Sequence, residues 1–265
     1  MSLSAYVSGL GVLGPGLANW PEAAAVLSGR QAYRAAASVL PTPTLLASAE
    51  RRRVGRTVKL ALAVALEATS HADLESATLA SVFTSSGGDG HNCHELCQAL
   101  SLSVREISPT RFANSVHNAA AGYWSIGAGA TAASNVLCAH DASFTAGLLE
   151  AMTQVAVDNT PLLLVAYDSE YPQPLHAKRP IPDAFGTALV LTPERRPSSV
   201  AKLEVSLTDL PFDRLQDADF ENMRHAFPSA RALPLLRLLA MRAGGGAVLE
   251  YLDVSGLQVR VEPCA

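Results

Sequence analysis

The chain has 265 residues, of which 49% are hydrophobic and 17% charged, and a formal net charge of -4. That length allows one large domain or two small ones, and the composition supports a sizeable core and excludes long disorder. An acidic balance argues against a nucleic-acid binder, and no apolar run reaches the roughly 18 residues a membrane span needs.

The elements are predicted in chain order from apolar spacing, caps and turn residues. Ser4 to Gly9 reads as a strand and Asn19 to Arg30 as a short capped helix. Residues 31–50, rich in Ala, Pro and Ser, read as a loop, and Val54 to Ser70 as a buried helix. Leu79 to Ser86 is a strand running into the turn Gly87-Gly88-Asp89-Gly90, and Asp89 to Leu100 a surface helix. His117 to Ala130 is a helix of small residues with two aromatics, which lets another backbone approach closely. Ala133 to Ala139 is a strand, Ala142 to Val157 an amphipathic helix, and Pro161 to Tyr167 and Ala184 to Thr192 two more strands. This alternation predicts a layered α/β domain. Further on, Val200 to Leu207 reads as a strand, Asp217 to Arg242 as helices broken at Pro228, and Gly244 to Pro263 as a hairpin turning at Val254-Ser255-Gly256.

Several motifs have a functional and a plain reading. Gly9, Gly11 and Gly14 form G-x-G-x-x-G after a strand, the dinucleotide pattern. That fingerprint requires a helix opening at the glycines and an acid ending a second strand. Pro15-Gly16 interrupts any such helix and no such acid follows, so tight turns are the expected role and no cofactor is expected. His91, Cys93, His94 and Cys97 crowd seven positions, as a zinc site might demand, but their spacing matches no strong zinc pattern. The expectation is no metal, with two thiols facing the core. Arg51, Arg52, Arg53 and Arg56 form a basic cluster, a solvated face or a contact for an acidic partner. Ser85 and Ser86 precede glycines but do not fit the hydrolase pattern G-x-S-x-G. The N-terminus lacks a cationic region followed by a long apolar run, so no leader is expected. The four cysteines show no disulfide-like framework, which suits a reducing, cytoplasmic setting.

Five segments, taken in order, resemble the β-ketoacyl synthases. They are YVSGLGVLGPGLANWPEAAAVLSGR, LASVFTSSGGDG, SPTRFANSVHNAAAGYWSI, ASNVLCAHDASFTAGLLEAM and RPIPDAFGTALVLTPE. The resemblance covers roughly residues 5 to 195 and implies a thiolase-like layered α-β-α fold with an abbreviated C-terminal half. Residues 1–195 would form the ketosynthase-like N-terminal half, and 196–265 a shortened α/β portion packed on it.

In that family a nucleophilic Cys sits between a strand and a helix N-terminus, where the helix dipole favours the thiolate. Matching the last Ser of the motif to Ser143 puts His140 at the position of the nucleophile. Cys138 lies two residues earlier, on the same strand face by alternation, and is the alternative nucleophile. The family's two catalytic histidines belong to motifs that His176 and His225 do not match. The resemblance therefore implies a subunit with no catalytic residue of its own, of the chain-length-factor type found in type II polyketide and aryl polyene systems. Its expected partners are a ketosynthase subunit or a second copy of itself, and an acyl carrier protein. Expected contact residues are Ala121, Gly122, Tyr123, Trp124, Asn135, Val136 and Leu137. The alternative is a stand-alone acyltransferase or decarboxylase using Cys138 or His140.

Overall fold

The computed structural model describes residues 2–265. Its strands are β1 (Leu3–Leu13), β2 (Ala80–Thr84), β3 (Ser134–Leu137), β4 (Leu162–Asp168), β5 (Phe185–Thr192), β6 (Ala201–Thr208), β7 (Gly245–Leu252) and β8 (Ser255–Pro263). The helices are α1 (Trp20–Leu27), α2 (Ser48–Arg51), α3 (Arg56–Ala72), α4 (Gly90–Ser101), α5 (Pro109–Ala113), α6 (Ala119–Ala128), α7 (Ser143–Asp158), α8 (Leu175–Lys178), α9 (Ala218–Ala226) and α10 (Leu233–Met241).

All eight strands form one mixed sheet in the order β3-β2-β4-β5-β1-β6-β8-β7. β3, β2 and β4 are mutually parallel, and every other neighbouring pair is antiparallel. The central strands are buried on both faces, and β4 shows how they divide their side chains. Leu162, Leu164 and Ala166 join Phe144, Leu148 and Met152 of α7 in one core. Leu163, Val165 and Tyr167 join α3 and Trp124 of α6 in the other. A period of two along the strand thus feeds two helical layers, giving the α-β-α sandwich.

The strand at Ser4 to Gly9 runs on to Leu13, so Gly9 and Gly11 lie within β1 rather than in a tight turn. Their role is close approach. A Cβ on Gly9 would fall 2.1 Å from the Ala68 carbonyl oxygen, and one on Gly11 2.1 Å from that of Val64. Helix α3 therefore rests directly on the strand backbone, which accounts for the glycine spacing without any nucleotide.

Residues beyond 196 continue the same sheet instead of building a second one. β6 pairs with the first half of β1, from Leu3↔Val205 to Val7↔Ala201, and β8 and β7 extend it outward. Helices α9 and α10 supply Phe220, Met223, Leu235 and Leu236 to the core shared with α7. The final hairpin turns at Asp253-Val254, one residue ahead of the expected turn. β7 reaches Leu252, β8 begins at Ser255, and Asp253 takes the left-handed conformation (φ 48°) that Asp tolerates better than a branched residue.

Candidate functional site: a strand-to-helix elbow

The elbow lies between β3, the last strand of the sheet, and α7. β3 ends at Leu137, so Cys138 and Ala139 leave the strand, and alternation no longer relates Cys138 to His140. His140 opens a short 3-10 turn with φ 52°, a backbone region uncommon for residues other than glycine. Ser143, the first residue of α7, fixes this bend. Its hydroxyl accepts from the Ala139 N–H at 3.1 Å and donates to the His140 carbonyl at 2.7 Å. Thr84 at the end of β2 donates to the Ser143 carbonyl at 2.8 Å and ties the elbow to the sheet.

His140 therefore sits at the sharp strand-to-helix bend, with its side chain 73% exposed. Its Nε2 lies 2.9 Å from Nη1 of Arg179. A guanidinium can only donate, so Nε2 is the acceptor and its lone pair is engaged. Arg179 also donates to Asp141 at 2.6 Å. From Asp141 the charges alternate away from the elbow. Arg231 approaches Asp141 at 3.8 Å and binds Glu250 at 2.5 Å, and Arg224 binds Glu250 at 3.2 Å and Glu221 at 2.7 Å. Arg224 is almost fully buried, and it holds the Glu221 carboxyl down to about 2.

Cys138 is also exposed, and its thiol donates to the Ser86 carbonyl at 3.1 Å. It stands outside the helix N-terminus, where the dipole would favour a thiolate. Ser85 and Ser86 themselves are held from below by Asp168 at the end of β4. Asp168 Oδ1 accepts from the Ser86 N–H at 2.8 Å, the Ser86 hydroxyl at 2.7 Å and the Ser85 hydroxyl at 3.3 Å. Its Oδ2 accepts from the Ser229 N–H at 3.0 Å. The Tyr171 ring covers the following turn: a Cβ on Gly87 would fall 2.1 Å from its hydroxyl and one on Gly90 1.9 Å from its ring. Sequence reasoning missed Asp168, Tyr171, Arg179 and Arg231. Each comes from a loop, a strand end or, for Arg231, a short 3-10 turn, and no local spacing marks it.

The two histidines after the elbow do not assemble there. His176 sits on α8, and His225 on α9 pairs with Glu221 at 3.1 Å. Cys93 and Cys97 are exposed on α4, contrary to the expectation that they face the core. The apolar contacts of α4 are few because only Gly90 and Asn92 are buried on it. No group of three or more His, Cys, Asp or Glu among the described residues is arranged to hold a metal. In the basic cluster, Arg56 pairs with Glu170 at 2.8 Å and Asp183 at 2.5 Å, and Arg53 with Glu50 at 2.9 Å.

The strand that leads into the elbow is open to solvent. Ser134 and Asn135 of β3 are exposed, with Val136 and Leu137 half-buried. On α5, α6 and the segment between them, Phe112, Val116 and Ile126 expose more than half of their surface. Of the seven expected contact residues, Ala121 and Trp124 belong to the chain's own core, because that face of α6 turns inward onto α3. Gly122 on the opposite face is exposed, with open space where a Cβ would stand. No helix among the described residues is long and apolar enough to cross a membrane.

The family model for the β-ketoacyl synthase N-terminal domain matches residues 20–240. Three similar solved structures cover nearly the whole chain. A ketosynthase in complex with its chain length factor from Xenorhabdus doucetiae is 24% identical, with a TM-score of 0.72 over 97% of this chain and 99% of that one. The ishigamide ketosynthase/chain length factor is 12% identical, with a TM-score of 0.73 over 99% and 100%. A type II PKS acyl-carrier protein in complex with its ketosynthase bound to the hexaketide is 10% identical, with a TM-score of 0.74 over 100% of both chains. At these identities the likeness is one of fold. No curated protein sequence matches the chain.

Proposed function

The chain belongs to the β-ketoacyl synthase family, and from that premise we propose that it is a non-catalytic, chain-length-factor-type subunit that pairs with an active β-ketoacyl-acyl carrier protein synthase. The observation that carries this reading is the elbow. Where the reaction needs a thiolate under a helix N-terminus, this chain has an exposed imidazole whose lone pair accepts from Arg179. Condensation needs a covalent acyl thioester and groups to assist decarboxylation. Cys138 is outside the dipole, and His176 and His225 lie on other elements. An acyl-imidazole on His140 would in any case hydrolyse too readily to carry a growing chain.

The partner would meet the apolar edge of the molecule. β3 is an edge strand that carries Asn135, Val136 and Leu137; the interface would also take in Gly122 and Tyr123 of α6, with the exposed Phe112 and Ile126 as anchors. Apolar and aromatic residues on an open edge are what an obligate interface buries. The two-fold relative could be a second copy of this chain, and an acyl carrier protein would deliver the chain to the pair. The product class would be a polyketide or fatty-acid-like chain, an aryl polyene among them, assembled in the cytoplasm.

The test has two parts. The protein alone, incubated with acyl and malonyl thioesters, should give neither condensation nor a mass shift. Co-expressed with the ketosynthase from its source, it should co-purify one to one and change the length of the product. An acyl adduct on Cys138 or His140 in intact-protein mass spectrometry would favour the stand-alone acyltransferase or decarboxylase instead.

A further inference from the structure

A second cleft, of about 310 Å³, lies far along the sheet from β3, where α1, the last turn of α3 and the end of α10 converge beside β6. Its size is at the lower end of small-molecule sites. Trp20, Pro21, Ala24, Val200, Leu239 and Ala240 give it an apolar wall. The polar lining is basic throughout: Arg30, Arg242 and His71, with no carboxylate side chain among the lining residues.

His71 is oriented by the backbone. Its Nδ1 accepts from the Leu10 N–H at 3.2 Å, so in the neutral ring the proton is on Nε2. Nε2–H makes no hydrogen bond among the described residues. Burial, and then the nearby Arg242 charge, hold the histidine below its ordinary value. Arg30 uses only its Nε, donating to the Ser28 hydroxyl at 2.9 Å. Neither Arg30 nor Arg242 forms an ion pair among the described residues, whereas Arg53, Arg56, Arg111, Arg179, Arg224 and Arg231 all do.

We propose that this cleft binds a small apolar monocarboxylate, with the carboxylate between Arg30, Arg242 and the His71 Nε2–H and the apolar body against Trp20 and Leu239. A planar carboxylate suits guanidinium forks, and the apolar wall gains only if the ligand carries a hydrocarbon or aromatic body. Inorganic phosphate would leave that wall unused. The site is independent of the elbow and of the partner surface.

Benzoate is the probe, titrated into the purified full chain by calorimetry, with benzamide and inorganic phosphate as comparison ligands. Saturable one-to-one binding is expected with a Kd of about 1 mM or tighter, as suits so small a ligand. Arg242→Gln and Arg30→Gln should each weaken it about five- to tenfold while leaving the melting curve unchanged, since both side chains are exposed. Benzamide and phosphate should bind at least about fivefold more weakly. Absence of saturation at about ten times the expected Kd would overturn the proposal. So would unchanged binding in both variants, or phosphate binding as tightly as benzoate, which would mark an adventitious anion only.

Discussion

Replacing Asp168 by Asn should cost the fold far more than its near-identical shape suggests. The carboxylate is fully buried and accepts four hydrogen bonds, three at Oδ1 from Ser85 and Ser86 and one at Oδ2 from the Ser229 N–H. An Asn has one oxygen. Placed to keep the three donors of Ser85 and Ser86, it turns its NH2 onto the Ser229 N–H, a buried donor facing a donor. Orphaning one buried N–H costs about 1–3 kcal/mol, and losing the charge from the remaining three bonds adds about 1 kcal/mol. The expected total of roughly 2–4 kcal/mol corresponds to a fall in Tm of about 4–16 °C for a chain of this size. Asp168→Leu removes every acceptor and should be worse. Urea denaturation followed by circular dichroism measures the difference, and thiol labelling of Cys138 should quicken as the Ser86 turn that holds it loosens. Burial pushes the Asp168 carboxyl above its ordinary value, against the pull of its hydrogen bonds from Ser86 and Ser229. The folded state therefore holds the proton more tightly than the unfolded one. This contribution is full below the unfolded value of about 3.9 and is lost as pH rises through the folded value. An Asn variant within about 0.5 kcal/mol of wild type would refute the reasoning.

Gly11→Ala would drive a Cβ to 2.1 Å from the Val64 carbonyl and should cost about 3 kcal/mol or abolish folding, whereas Gly122→Ala, with open space, should change stability by less than about 1 kcal/mol in thermal melts. His71 titrates below its ordinary value in the fold, so its contribution is present above the unfolded value of about 6.5 and lost as pH falls through the folded one. His71→Gln should flatten that part of the pH dependence of the urea midpoint. Phe112→Asp and Ile126→Asp, at exposed positions, should leave the melting temperature of the isolated chain unchanged yet reduce co-purification with the ketosynthase at least about tenfold. Co-purification at the wild-type level would place the interface on another face.

Strands and helices with strong apolar periodicity could be read from the sequence. Helix α7 and strands β2, β4 and β5 fall within a residue or two of expectation, because each buries a regular run. The glycines of β1 were legible as a pattern but not as a cause, since only the proximity of α3 explains them. The small residues of α6 concealed which face turned inward. Ala121 and Trp124 are core, and Gly122 one residue away is surface, a distinction that a helix of nearly uniform polarity does not encode. At the elbow, the motif marked the sharp bend at His140 that the left-handed backbone there displays. The arginine that engages this histidine, Arg179, was not marked, because a polar loop residue distant in sequence has no periodicity to betray its destination.

The two ends of the sheet leave the protein with an asymmetry that bears on supply. β3 is four residues long, Ser134–Leu137, and carries neither a charge, a proline nor a bulge. Those are the devices with which free strands discourage chance pairing. The shortness of β3 is then its own guard, and on the function proposed above the partner would cover the rest. On that reading, copies made in excess of the partner would present this strand to one another, and matched synthesis of the two polypeptides would favour yield. Soluble yield of this chain should therefore be lower when it is overproduced by itself than when it is made in balance with its partner.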